Sequence, residues 1–294
     1  MTLMDVRAES FDRALELSQL GRFNVFLVCT AGIVLADVYL ETTTMNFVLP
    51  VSQCDLHWTQ TERNLLGAVS YIGIIVSAHG WGSLADSIGR KKVLAPTLII
   101  FSVSGAASVI LVYLGEFHCQ KLRDKSIMFS CFVMSVFSLV SPLVAWGILN
   151  GDWWFDIPWL GVRYTPWRLF MVVCATPGLI SGFLILIFPE SPKYLLSNNQ
   201  EKEAIKVLQS IFSTNTRKDK CLYPVRSLIS DSDSIECDIE KLGLKNVMAV
   251  MWNRTKPLFS KNYIRDTTIF CTLQFVLYSS NFGMFVFFPD IIPN

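Results

Sequence analysis

Few positions in this chain can do chemistry, and most of them carry a charge inside or between apolar runs. Asp37 lies within a run from about Phe23 to Leu40, and Glu41 follows it by one helical turn. Acids inside a membrane-length run are costly and mark ion or proton paths. Fourteen residues into a helix, Asp37 stands roughly 21 Å up, in the outer third of a bilayer core. Together Asp37 and Glu41 point to the binding of a cation or a proton. The bland alternatives are a Glu41 among the lipid headgroups and an Asp37 paired inside the protein. Gln274, Tyr278 and Asn281 are spaced by four and three residues, so they share one helical face. That face lines a pathway or makes helix–helix hydrogen bonds. His79 reads as packing rather than a proton relay. A second set lies between two apolar runs: Gly82-x-x-x-Asp86-x-x-Gly89-Arg90-Lys91, with Lys92 behind it. Gly89 suits a tight left-handed turn, Arg90 is a rigid fork for a carboxylate or a lipid phosphate, and Asp86 can meet a cation or a helix N-terminus.

The elements that must position these residues are membrane helices. Of 294 residues, 52% are hydrophobic and 17% charged, against about a quarter charged in soluble domains. The apolar residues pool in blocks of the length that crosses hydrocarbon. They do not alternate as a β-barrel would. The net charge of +1 gives no case for nucleic acid. Eight cysteines show no CxxC and no Cys/His cluster, so neither a metal site nor a redox motif is expected. No cofactor is expected, and no nucleophile–base set suggests an enzyme. The start, with Asp5, Arg7, Glu9, Asp12, Arg13 and Glu16, is not a cleavable signal peptide.

In order, residues 9–20 read as an amphipathic helix at the membrane interface, with Phe11, Ala14, Leu15 and Ser18 on one face. Spans follow at about Phe23–Leu40, Leu65–Ala85, Val93–Gly115, Ile127–Leu149, Leu169–Phe188 and Thr267–Phe288. Residues 42–63 carry the charge pattern of an outer loop. Gly67, Ser70, Gly73 and Ser77 form a small-residue stripe suited to close helix packing. Basic loops at 82–92 and 116–125 belong on the side that collects Lys and Arg. Two loops on one side require two crossings between them, yet block 93–115 has 23 residues and room for one. The loop 150–167 is aromatic, with Trp153, Trp154, Phe155, Trp159, Tyr164 and Trp167, as at the headgroup level. Pro177-Gly178 is a kink within a span. Asn199 is expected to cap a helix from Gln200 to about Phe212, then a linker over 214–234, then a weaker helix over Asp238–Trp252. Asn253-Arg254-Thr255 fits a glycosylation pattern in a loop expected to be cytosolic.

The loop Gly82 to Lys91 resembles the signature between the second and third helices of major facilitator superfamily transporters. Phe188-Pro189-Glu190-Ser191-Pro192-Lys193-Tyr194-Leu195-Leu196 is similar to the sequence closing the sixth helix of sugar- and organic-ion-type facilitators, and Trp167-Arg168 fits the start of that span. Phe47-Val48-Leu49-Pro50, with Gln53 to Leu56, and Tyr113-Leu114-Gly115-Glu116-Phe117-His118 resemble the synaptic vesicle glycoprotein 2-like branch. The resemblance implies an all-α, polytopic helical bundle: the N-terminal half of the facilitator fold plus the seventh helix, about six spans with helices three and four fused. It implies a cytosolic segment at 1–22, a transmembrane bundle at 23–189, a central cytosolic loop at 190–265 and the seventh helix at 266–294. Gly82, Asp86, Gly89, Arg90 and Lys91 become one side of a gate, and Pro189, Glu190, Ser191 and Pro192 the end of the sixth helix. The expected function is transport of a small organic solute or ion across a plasma or intracellular vesicle membrane. The expected partners are membrane lipid and the solute. The alternative is an internally deleted, C-terminally truncated isoform that transports nothing and acts by association with other membrane proteins or transporter subunits.

Overall fold

The structure, a computed structural model, describes residues 8–100, 105–159, 162–229, 252, 256–261 and 263–291. The fold is all-α, as an apolar chain requires where no water can satisfy its backbone. The described elements are β1 (Ala8–Ser10), α1 (Phe11–Leu17), α2 (Arg22–Leu56), α3 (Gln60–Ile88), α4 (Arg90–Ile100), α5 (Gly105–Glu116), α6 (Gln120–Leu149), β2 (Phe155–Ile157), β3 (Val162–Tyr164), α7 (Pro166–Ile187), α8 (Pro192–Ser197), α9 (Glu201–Thr216), β4 (Ser227–Ile229) and α10 (Ile264–Ile291). Among the described residues, the helices Arg22–Ser52, Gln120–Leu149 and Pro166–Ile187 are long and apolar enough to cross a membrane. Two compact units divide the chain, 1–51 with 73–236 and 52–72 with 237–294.

The first unit has its main core among α2, α4, α5 and α7, where Leu27, Val34, Leu94, Leu98, Ile110 and Tyr113 are buried. Small and polar residues bring α2 and α6 together. A Cβ on Gly32 would fall 2.6 Å from Val133 Cβ, and the Ser130 hydroxyl donates to the Val28 carbonyl at 3.1 Å. Lipid offers no hydrophobic drive between helices, so such contacts carry the packing.

Block 93–115 is divided. Arg90, the first residue of α4, meets Glu116, the last of α5, in an ion pair. The two helices therefore run antiparallel and pack side by side. At 11 and 12 residues each reaches only about 17 Å, roughly half the hydrocarbon thickness. A pair of half-length helices puts both basic loops on one side without two full crossings, which removes the conflict in the sequence.

Several boundaries differ from expectation. The first span does not end at Leu40. Thr42, Thr43 and Thr44 return their hydroxyls to the carbonyls of Val38, Tyr39 and Leu40, and α2 continues through Pro50. Their side-chain bonds stay inside the helix, so no loop forms. The basic loop 116–125 is largely the first turns of α6, leaving a turn at 117–119. Among the described residues nothing lies within 4 Å of a Cβ position on Gly73, so that member of the small-residue stripe shows no close helix contact there. Gln200, not Asn199, is the N-cap of α9. Asn199 takes the left-handed conformation (φ 57°) that the turn out of α8 requires.

A smaller core joins the start of the chain to the region after α8. Ala14 and Leu15 of α1 pack with Ala204, Leu208 and Phe212 of α9 and with Tyr223 and Leu228. The Tyr223 hydroxyl donates to the Ala14 carbonyl at 2.7 Å, and β1 pairs in parallel with β4. The apolar face of the N-terminal helix is thus covered by protein rather than left for lipid. The linker expected from 214 is instead helix to Thr216 and then a segment that buries Tyr223, Val225 and Leu228. The rest of that linker, the helix expected over Asp238–Trp252 except Trp252, and Asn253-Arg254-Thr255 lie outside the described residues.

In the second unit, Thr59 and Glu62 form a capping box at the start of α3. The Thr59 amide donates to Glu62 Oε2 at 2.8 Å, and the Glu62 amide donates to Thr59 Oγ1 at 3.3 Å. A turn at Lys256–Phe259 leads into α10, and the Thr267 hydroxyl donates to the Leu258 carbonyl at 3.0 Å.

Candidate functional site

The signature loop closes onto the end of α7 and the end of α5. Gly89 has φ 113°, a conformation open to glycine. A Cβ there would lie 2.8 Å from Glu190 Oε2 and 3.2 Å from the Tyr194 ring, so glycine also admits the neighbouring strand of chain. Arg90 bridges two acids: Asp86 Oδ1 at 3.0 Å, one turn back, and Glu116. Its side chain is 15% exposed and that of Glu116 6%, so this pair is dry while Asp86 keeps 42% of its surface. The Lys91 and Ser191 amides both donate to Glu190 Oε1 at 3.1 Å. Ser191 caps α8 and donates its hydroxyl to Glu116 Oε2 at 2.6 Å, with Pro192 at the first helical position. Tyr113 donates to the Pro189 carbonyl at 2.5 Å. Gly82 has open space around its Cβ position. The structure thus gathers Asp86, Gly89, Arg90, Lys91 and the Pro189–Pro192 sequence into one hydrogen-bonded cluster. Sequence reading did not assign Glu116 and Tyr113 to it. The available signal was an acid and a phenol at the end of an apolar block.

A second polar network flanks the first. Asn215 of α9 donates to the Gln19 carbonyl at 2.7 Å and to Asn24 Oδ1 at 2.9 Å, and it accepts from the Phe23 amide at 3.0 Å. Asn24 Nδ2 lies 3.3 Å from His118 Nε2, and His118 Nδ1 lies 2.9 Å from the Leu114 carbonyl. A carbonyl only accepts, so Nδ1 carries the proton and Nε2 accepts from Asn24. Burial pushes the His118 imidazole below its ordinary value; the Leu114 carbonyl opposes this and the Arg123 charge adds to it.

Deeper in the bundle, Asp37 is fully buried, and among the described residues neither carboxylate oxygen has a well-formed hydrogen bond, the Gly178 backbone lying alongside it. Its oxygens would lie 2.5 Å and 2.7 Å from a Cβ on Gly178, the residue after Pro177 in α7. Gly178 therefore makes the space that Asp37 fills. Glu41 is one turn along α2 and half-buried. Cys174, one turn before Gly178, lies beside Thr44 and Asp37. Among the described residues, no group of three or more His, Cys, Asp or Glu could hold a metal ion. Gln274 lies on α10 of the second unit and is half-buried. The side chains of Tyr278, Asn281 and His79 lie outside those described. Charge alone singles out Asp37 and Glu41 in the sequence, whereas Gly178 reads there only as part of a kink.

The family model described as "Sugar (and other) transporter" matches residues 112–292. Synaptic vesicle glycoprotein 2A of Rattus norvegicus is 25% identical over 97% of this chain and 44% of its own length. Synaptic vesicle glycoprotein 2C of Homo sapiens is 26% identical over 97% of this chain and 45% of its own. For 2B of Homo sapiens the values are 24%, 92% and 46%. The chain spans less than half the length of these curated relatives.

Proposed function

Because this chain belongs to the sugar (and other) transporter family of the major facilitator superfamily, we propose that it forms the N-terminal bundle of an integral membrane carrier for a small organic solute, with Asp37 as its ion site. The observation that carries this reading is the Asp37 carboxylate, buried against the Gly178 backbone with no cation partner among the described residues. A buried charge needs a positive partner. A proton fits better than a metal ion, because no cluster of ligating side chains surrounds it among the described residues. Proton gain or loss at Asp37 then biases the packing of α2 against α7, and the differential affinity for two packings does the work. Glu41, Gln274, Tyr278 and Asn281 are the proposed solute-facing positions. The signature-loop cluster is the proposed inner gate, facing the cytosol, with 190–265 as the central cytosolic loop of a plasma or vesicle membrane protein.

The test uses the full chain in liposomes. Infrared difference spectra on acidification follow the protonated carboxyl band, and flux of labelled hexose and of a small organic cation follows transport. Asp37→Asn is expected to remove the band and flatten the pH dependence of flux. An unchanged profile sinks the ion-site reading. A retained band with no saturable flux supports the second reading, a chain that acts by association.

A further inference from the structure

The ribbon between α6 and α7 has two unlike faces. In register, Phe155 pairs with Tyr164 and Asp156 with Arg163. Side chains alternate along a strand, so Trp153, Phe155 and Tyr164 share one face. Their rings stack, with centroids 6.2 Å apart for Trp153–Phe155 and 5.0 Å for Phe155–Tyr164. Gly151 makes room for this stack: a Cβ there would lie 2.7 Å from the Trp153 ring. The other face carries the charges, and they pair within it. Arg163 Nε is 3.4 Å from Asp156 Oδ1, and its guanidinium lies 4.3 Å over the Trp154 ring. Phe155 is 50% exposed and Trp159, in the turn, 83%.

We propose that this ribbon is an interfacial anchor whose aromatic face lies in the headgroup layer of the bilayer, on the side opposite the signature loop. A lone two-stranded hairpin is marginal in water at best, so its apolar face needs cover. Lipid supplies that cover. β2 begins six residues after Leu149, the end of α6, and β3 ends two residues before Pro166, the start of α7. Both helices are long and apolar enough to cross a membrane. A tether of six steps reaches at most about 21 Å, so the ribbon stays near the surface where those helices emerge. That surface is the far one. The Gln120 amide at the start of α6 bonds Asp12, and α7 ends two residues before Pro189, which accepts from Tyr113 in the signature cluster. Trp and Tyr rings, apolar with one polar edge, suit the headgroup level. Pairing Arg163 with Asp156 on the opposite face keeps charge out of that layer.

The anchor fixes the depth and rotation of α7. Gly178 lies 12 residues, about three turns, from Pro166, so a ribbon held at the surface aims Gly178 at Asp37. The inference rests on the chain's place in a membrane and is read independently of transport.

The test is 19F NMR of the full chain in phosphatidylcholine nanodiscs, with 5-fluorotryptophan at all eight tryptophans. Trp153→Phe and Trp159→Phe assign the two signals. A nitroxide on the lipid headgroup is expected to broaden both several-fold more than an aqueous gadolinium chelate does. Phe155→Ser is expected to shift Trp153 toward the chelate, and Arg163→Gln, on the other face, to leave it unchanged. Broadening mainly by the chelate overturns the proposal, because the face is then open to water. Shielding from both probes also overturns it, because a second copy then covers the face. If Phe155→Ser does not fold, the two probes on the unsubstituted chain decide alone.

Discussion

At Gly178 the space for a methyl group is already occupied by a carboxylate. Gly178→Ala would drive Asp37 from its place or push α7 away from α2, an overpacking cost of about 1–3 kcal/mol. Thermal unfolding in detergent is expected to show that loss, and Gly178→Ala with Asp37→Ala to recover part of it. Arg90 makes a second demand at this scale. It spans Asp86 and Glu116 at once through its two terminal nitrogens, a reach and planar geometry that one ammonium nitrogen does not reproduce. Arg90→Gln leaves Glu116 buried without its cation and is expected to cost about 3–5 kcal/mol. Arg90→Lys is expected to recover less than half of that by the same unfolding measurement. Asp37, Arg90 and Gly89 were legible because charge or backbone freedom at those positions has few other uses. The Asp37–Gly178 contact was not, since 141 residues separate the pair in the chain and glycine carries no chemical label.

Helix boundaries depended on side chains that sequence patterns weigh poorly. The charge pattern of residues 42–63 suggested an outer loop after Leu40, but the hydroxyls of Thr42, Thr43 and Thr44 bond back to carbonyls of the same helix. Polar composition suggested a linker from residue 214, but three apolar residues within six positions, Tyr223, Val225 and Leu228, seat it on α1 and α9. The network at Asn24, His118 and Asn215 gives this seating a pH dependence. His118 titrates below 6.5 when folded, so the unfolded chain binds more protons in the window just under 6.5. The stability it contributes is complete above 6.5 and is lost as pH falls through that window. Hydrogen exchange of α1 and the start of α2 is expected to quicken across it. His118→Gln, which keeps an acceptor for Asn24 but does not titrate, is expected to remove the dependence.

For the whole molecule, the arrangement of α4 and α5 decides how the chain threads a membrane. The family and the all-α class were readable from two motifs and the apolar blocks. The division of 93–115 was not, because a largely apolar block of 23 residues fits one full crossing or two half-length helices equally well. Cysteines placed singly at Lys92 and at Lys121, both exposed, are expected to take an impermeant maleimide from the same face of sealed vesicles, counted above the native baseline. Labelling from opposite faces would contradict the antiparallel pair. The bond from Tyr223 to Ala14 has a consequence in time. The two residues are 209 apart, and a ribosome adding about 5–20 residues per second needs roughly 10–40 s to cover that interval. Through that delay the apolar face of α1 waits for its cover while the helices behind it are already being inserted. A nascent chain stalled before Tyr223 should therefore be cut by added protease near Leu15, whereas the finished chain should resist.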